Sequence, residues 1–103
     1  MEDIYPTNNQ LNAIEKYPVI TRDDMLKFLE YTKGYWHDSD WGWKQKQTKK
    51  DTIKLELHTG GWSGNESIIY AMQSNFLFWS MNWDMSKRGG HYYFTIKLGN
   101  LTS

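Results

Sequence analysis

From Thr52 to His58 the chain alternates cleanly: Ile53, Leu55 and Leu57 fall on one side, and Lys54, Glu56 and His58 on the other. A period of two with one apolar side predicts a half-buried strand. Phe76 to Trp83 reads as a second strand, with Leu77, Trp79, Met81 and Trp83 toward the core and Phe76, Phe78, Ser80 and Asn82 away from it. Ser86-Lys87-Arg88-Gly89-Gly90 turns the chain, because its glycines tolerate positive backbone angles. His91 to Leu98 returns as a third strand, with Tyr92, Phe94, Ile96 and Leu98 inward and His91, Tyr93, Thr95 and Lys97 outward.

Helical spacing marks two further segments. Thr21 is placed as an N-cap with Asp23 and Asp24 in the first turn, where negative charge suits the helix dipole. A helix from Arg22 to Lys33 follows, its apolar stripe of Met25, Leu29 and Thr32 widened by Leu26 and Phe28, and Gly34 stops it in a left-handed conformation. Thr59-Gly60-Gly61 predicts a tight turn into a helix from Gly64 to Ser74 that buries Ile68, Ile69 and Met72. Ser63 and Glu66 have the spacing of a capping box. Residues 1–20 read as a loosely ordered arm with a short helix from Leu11 to Lys16, ended before Pro18. Residues 35–51 read as a loop rich in Trp and Lys.

The expected architecture is a single α+β domain over residues 1–103. It is a small two-layer fold in the order α-β-α-β-β, with a three-stranded, mainly antiparallel sheet and both helices on one face. The opposite face would display Lys54, Glu56, His58, Phe78, Ser80, Asn82, His91 and Tyr93. That mixture is too polar for a second core and too aromatic for an ordinary solvated surface.

Composition sharpens this picture. Apolar residues make up 39% of the 103 residues, yet aromatics reach 17%, with six Trp and seven Tyr. The core must therefore be built from few, bulky side chains, leaving aromatic surface for a partner. The chain has no Cys, which removes a disulfide framework or a thiolate metal site and favours a cytoplasmic setting. No apolar run has the length of a membrane helix, and the first residues lack the pattern of a signal peptide, so no membrane partner is expected. Formal charge sums to zero, but the first forty residues are acidic on balance and the remainder basic, an asymmetry that suits an electrostatic footprint.

Two constellations carry candidate chemistry. The first is the ligand or partner surface of His58, Trp62, Phe78, Asn82, Arg88, His91 and Tyr93, in which Arg88 offers a planar fork for carboxylate or phosphate. The second is the run containing Lys44, Lys46, Lys49 and Lys50 beside Trp36, Trp41 and Trp43. It is either a solvated loop with its rings folded inward, or a single-strand binder with rings for bases and lysines for phosphates. The Gly60-Gly61 pair lacks the lysine and spacing of a P-loop. Ser63 and Glu66 are accounted for by capping and no G-x-S-x-G elbow is present, so a small hydrolase is the weakest of the readings and no catalytic residue is assigned. His37, Asp38 and Asp40 are too loose for a metal site, and no cofactor is expected.

The Gly60-Gly61-Trp62-Ser63-Gly64-Asn65-Glu66 stretch, followed by Arg88-Gly89-Gly90-His91-Tyr92-Tyr93-Phe94, resembles a group of short uncharacterised proteins of tailed phages and prophages, over about half the chain. That resemblance implies a bacterial host cytoplasm and an accessory role. The leading reading is binding to a host protein, as inhibitor or modulator, through exposed aromatics and Arg88; the alternative, carried by the open sheet face and the lysine run and not by the resemblance, is binding of a nucleotide or single-stranded nucleic acid.

Overall fold

The computed structural model describes residues 5–102. Its helices are α1 (Asn8–Glu15), α2 (Arg22–Lys33), α3 (Ser39–Gly42), α4 (Ser63–Ser74) and α5 (Phe76–Asn82). Its strands are β1 (Trp43–Lys49), β2 (Thr52–His58), β3 (Trp83–Lys87) and β4 (His91–Lys97), and a 3-10 turn (Leu98–Asn100) follows. The strands form one antiparallel sheet in the order β1-β2-β4-β3. The expected three-stranded α-β-α-β-β order is thus corrected to four strands, with additional helices.

β2 and β4 pair at the centre over their full length, from Thr52 opposite Lys97 to His58 opposite His91. Their inward residues Ile53, Leu55, Leu57, Phe94 and Ile96 are buried and meet Met25, Phe28 and Leu29 of α2 and Ile68, Ile69 and Met72 of α4. α2 starts as its sequence indicates, with Thr21 and Asp24 exchanging backbone-to-side-chain hydrogen bonds of 3.0 and 3.1 Å. Gly34 ends the helix in the right-handed region (φ −60°), and Leu26 is exposed.

Three segments depart from the alternation. Phe76–Asn82, read as a strand, is helix α5. Asn75 closes α4 and caps α5, its Oδ1 accepting from Phe78 N at 3.2 Å. The buried positions Asn75, Phe78 and Asn82 are spaced by three and four, which is one face of a helix. Phe78 is therefore a core residue, its ring 4.7 Å from Phe28 and 5.5 Å from Phe94. Asn82 is buried too and donates to the Phe78 carbonyl at 2.8 Å. Trp79 is only half-buried, stacked on Trp83.

Residues 35–51, read as a loop, contain α3 and the edge strand β1. Trp36 and Trp43 fold into the core edge to face, their ring centres 5.7 Å apart, while Trp41 stays half exposed. The arm also needs correction from residue 5 onward; residues 1–4 lie outside the described residues. α1 is capped by Thr7, and Ile14 and Val19 are buried. The Asn75 amide donates to the carbonyls of Ile14 and Tyr17 at 3.0 Å each, tying this segment to the α4–α5 corner.

The capping box of Ser63 and Glu66 does not form. Trp62 is the N-cap of α4, Ser63 is its first residue, and no side chain caps it. The helix starts one residue earlier than the box requires. Among the described residues no helix is long and apolar enough to cross a membrane.

Candidate functional site

Register assigns the face away from the helices residue by residue. Opposite residues of an antiparallel pair share a side, so Lys44 goes with Glu56, Lys46 with Lys54, Tyr93 with Met85, and His91 with Lys87. An irregularity between Gln47 and Lys49 sets Lys49 opposite Thr52, on the same side. The open face thus presents Lys44, Lys46, Lys49, Lys54, Lys87 and Lys97 against the carboxylates of Glu56 and Asp84. Lys50 lies instead in the β1–β2 turn. Across the centre, Lys54 donates to Thr95 Oγ1 at 2.7 Å, and Thr95 donates to Asp84. A shallow depression of about 430 Å³ lies between Lys54, Glu56, Asp84, Met85, Lys87 and Tyr93.

At one end of this face the aromatic side chains form a row. Trp41, His58 and Tyr93 follow one another at ring separations of 6.0 and 6.2 Å, and the Lys87 ammonium stands 5.4 Å above the Tyr93 ring. The two histidines are a directly opposed pair with Nδ1 to Nδ1 at 2.7 Å, and the Glu56 carboxylate lies 3.4 Å from His58 Nε2. A carboxylate beside Nε2 favours the proton on that nitrogen, which leaves His58 Nδ1 as an acceptor in the neutral ring. The proton between the rings then belongs to His91 Nδ1, and His91 Nε2 lies against the Gly89 turn. Thr59 and Gly90 hold the strand ends together through a 3.0 Å backbone bond. Gly90 sits at φ +82°, and a Cβ there would collide with the Thr59 hydroxyl, so this junction requires glycine.

Beyond Trp41 lies a pocket of about 330 Å³ lined by His37, Asp38, Trp41, Thr59, Gly60 and Trp62. Its two walls are bound together by the buried Asn65. The Asn65 Oδ1 accepts from His37 N at 2.7 Å, and its amide donates to the carbonyls of His37 and Thr59 at 3.0 and 3.4 Å. Trp62 is sandwiched between His37 and Tyr5, with ring separations of 4.0 and 6.2 Å and nearly parallel planes. Its indole N–H is buried and finds no acceptor among the described residues. Asp38 adopts the left-handed conformation (φ 58°) and its side chain does not cap α3.

Of the residues expected to form a partner surface, the structure therefore brings His58, His91 and Tyr93 together and sets Trp62 beside them. Arg88 is exposed at the β3–β4 turn. Phe78 and Asn82 belong to the core and cannot contact a partner. Ser63 donates to the Tyr5 hydroxyl at 3.3 Å. Sequence reasoning missed Trp41, His37 and Asp38 as pocket residues. For the strand-end pair a usable signal was the placement of His58 before Gly60-Gly61 and His91 after Gly89-Gly90. Comparison of the chain with family models, curated proteins and solved structures found no match.

Proposed function

We propose that the protein binds single-stranded nucleic acid across the open face of its sheet. The observation that carries this reading is the register that puts Lys44, Lys46, Lys49, Lys54, Lys87 and Lys97 on the same side as Tyr93 and the histidine pair. Lysines neutralise phosphates while exposed rings stack bases, a combination that tolerates many sequences. Lys87 above Tyr93 supplies a cation beside a stacking surface.

A host protein as partner draws less support, because two of the residues that suggested it, Phe78 and Asn82, are buried. The test is fluorescence anisotropy with labelled single-stranded RNA and DNA of the same sequence over a range of salt. Affinity should fall linearly with the logarithm of salt, by about 0.7 in slope per phosphate contacted. No binding at low salt would end the proposal.

A further inference from the structure

The open face ends against Trp41, and on the far side of that ring lies the pocket of His37, Asp38, Thr59, Gly60 and Trp62. We infer that this pocket takes an unstacked guanine base. The inference rests on the single-strand reading above and adds a base preference to it.

The pocket is concave, about 330 Å³, and walled by aromatic rings, which suits a planar base with water excluded from its faces. It is also rigid. Asn65 clamps the backbone on both sides, and Gly60, at φ +63°, lies so close to Trp41 that a Cβ there would stand 3.1 Å from the indole ring. Half of Trp41 remains exposed, enough surface for a base to stack on.

Asp38 selects the base. Its carboxylate forms no cap and takes part in no ion pair among the described residues, and an ionised carboxylate only accepts hydrogen bonds. Guanine alone among the four bases presents two adjacent donors, N1–H and the N2 amino group, on its Watson–Crick edge. Adenine and cytosine offer an amino group beside an acceptor, and uracil offers one N–H between two carbonyls. A carboxylate among rings also suits an organic cation, but the neighbouring face is rich in lysine and repels cationic partners while attracting a phosphate-bearing one.

The experiment uses the full chain and short oligouridylates carrying one central guanosine, inosine, adenosine or uridine, together with free GMP. The guanosine oligomer should bind about 5- to 150-fold more tightly than the adenosine and uridine ones. Inosine, which lacks the amino group, should fall between. Asp38→Asn keeps a side chain that tolerates the left-handed backbone, so it should fold normally and lose the preference for guanosine. Equal binding of all four oligomers overturns the inference and leaves the single-strand reading standing, as does a guanosine preference that survives Asp38→Asn. GMP binding at Trp41 and Trp62 without any oligonucleotide binding upholds the pocket and overturns the sheet-face reading. Absence of both overturns both. A response of these tryptophans to choline or methylguanidine but not to GMP identifies a cation cage and overturns the guanine assignment.

Discussion

Along β2, Ile53, Leu55 and Leu57 enter the core while Lys54, Glu56 and His58, one position apart, face outward; on β4, Phe94 and Ile96 alternate with Tyr93 and Thr95 in the same way. The two faces share a backbone, yet one is governed by close packing and the other by charge and ring stacking. A change of one position along the strand moves a substitution from the packed core to the open face. Five variants would break or sharpen that division.

The largest effect belongs to the covered face. Phe78→Ala should cost about 3 to 5 kcal/mol in urea unfolding, because it removes a ring that bridges α2 and β4 and leaves a cavity. A cost below about 1 kcal/mol would show that the α5 corner is not part of the core. Asn75→Ala comes next, at about 2 to 4 kcal/mol, since it removes a helix cap and also leaves the Ile14 and Tyr17 carbonyls without their donor. The same unfolding measurement reads it.

On the open face, Tyr93→Ala should weaken oligonucleotide binding by about 1 to 3 kcal/mol, the usual worth of one stacked base. Changing Lys44, Lys46 and Lys54 together to Gln should lower the salt slope by about 2. The lysine variant should melt close to the parent, because exposed substitutions seldom move stability by more than about 0.5 kcal/mol, and Tyr93→Ala, at a partly buried ring, should cost far less than Phe78→Ala. A large loss of stability in either variant would erase the distinction between the faces.

The smallest effect concerns the Arg22–Asp51 ion pair, which joins the start of α2 to the β1–β2 turn. Its hydrogen bond and the opposite charge hold Asp51 below its ordinary value of 3.8. A depressed carboxylate stabilises the fold above the unfolded-state value and loses that contribution as pH falls through the folded-state value. The parent should therefore lose stability below about pH 4, and Asp51→Asn should show a flatter acid limb in melts between about pH 5 and 2. Identical limbs would mean that the pair is fully screened.

Legibility in the sequence followed contrast between neighbouring residues. Thr52–His58 and Arg22–Lys33 were readable because apolar and polar residues alternate there with only one period that fits. Phe76-Leu77-Phe78-Trp79 is apolar throughout, so it satisfies periods of 2 and 3.6 alike. What decided for a helix was Asn75, whose side chain caps α5 and reaches back to α1, a contact spanning some sixty residues of chain. β1 failed for the opposite reason: Lys44-Gln45-Lys46-Gln47 alternates, but between two polar types, and a hydrophobic pattern cannot register it. The pocket was hidden because Asn65 looks like an ordinary helical residue until His37, from a distant segment, is brought against it.

The position of β1 at the rim of the sheet has a consequence of its own. Its outer backbone N–H and C=O groups have no strand beside them, the arrangement that invites a second chain to add on and begin aggregation. Lys44, Lys46 and Lys49 guard against this by placing like charges wherever a copy of β1 would dock. The negative groups of a bound polyanion, or exchange of these lysines for glutamine, would remove that guard. The lysine-to-glutamine variant should therefore be checked for self-association by light scattering, because a gain in particle size would mean that one row of charges keeps the molecules apart as well as attracting the ligand.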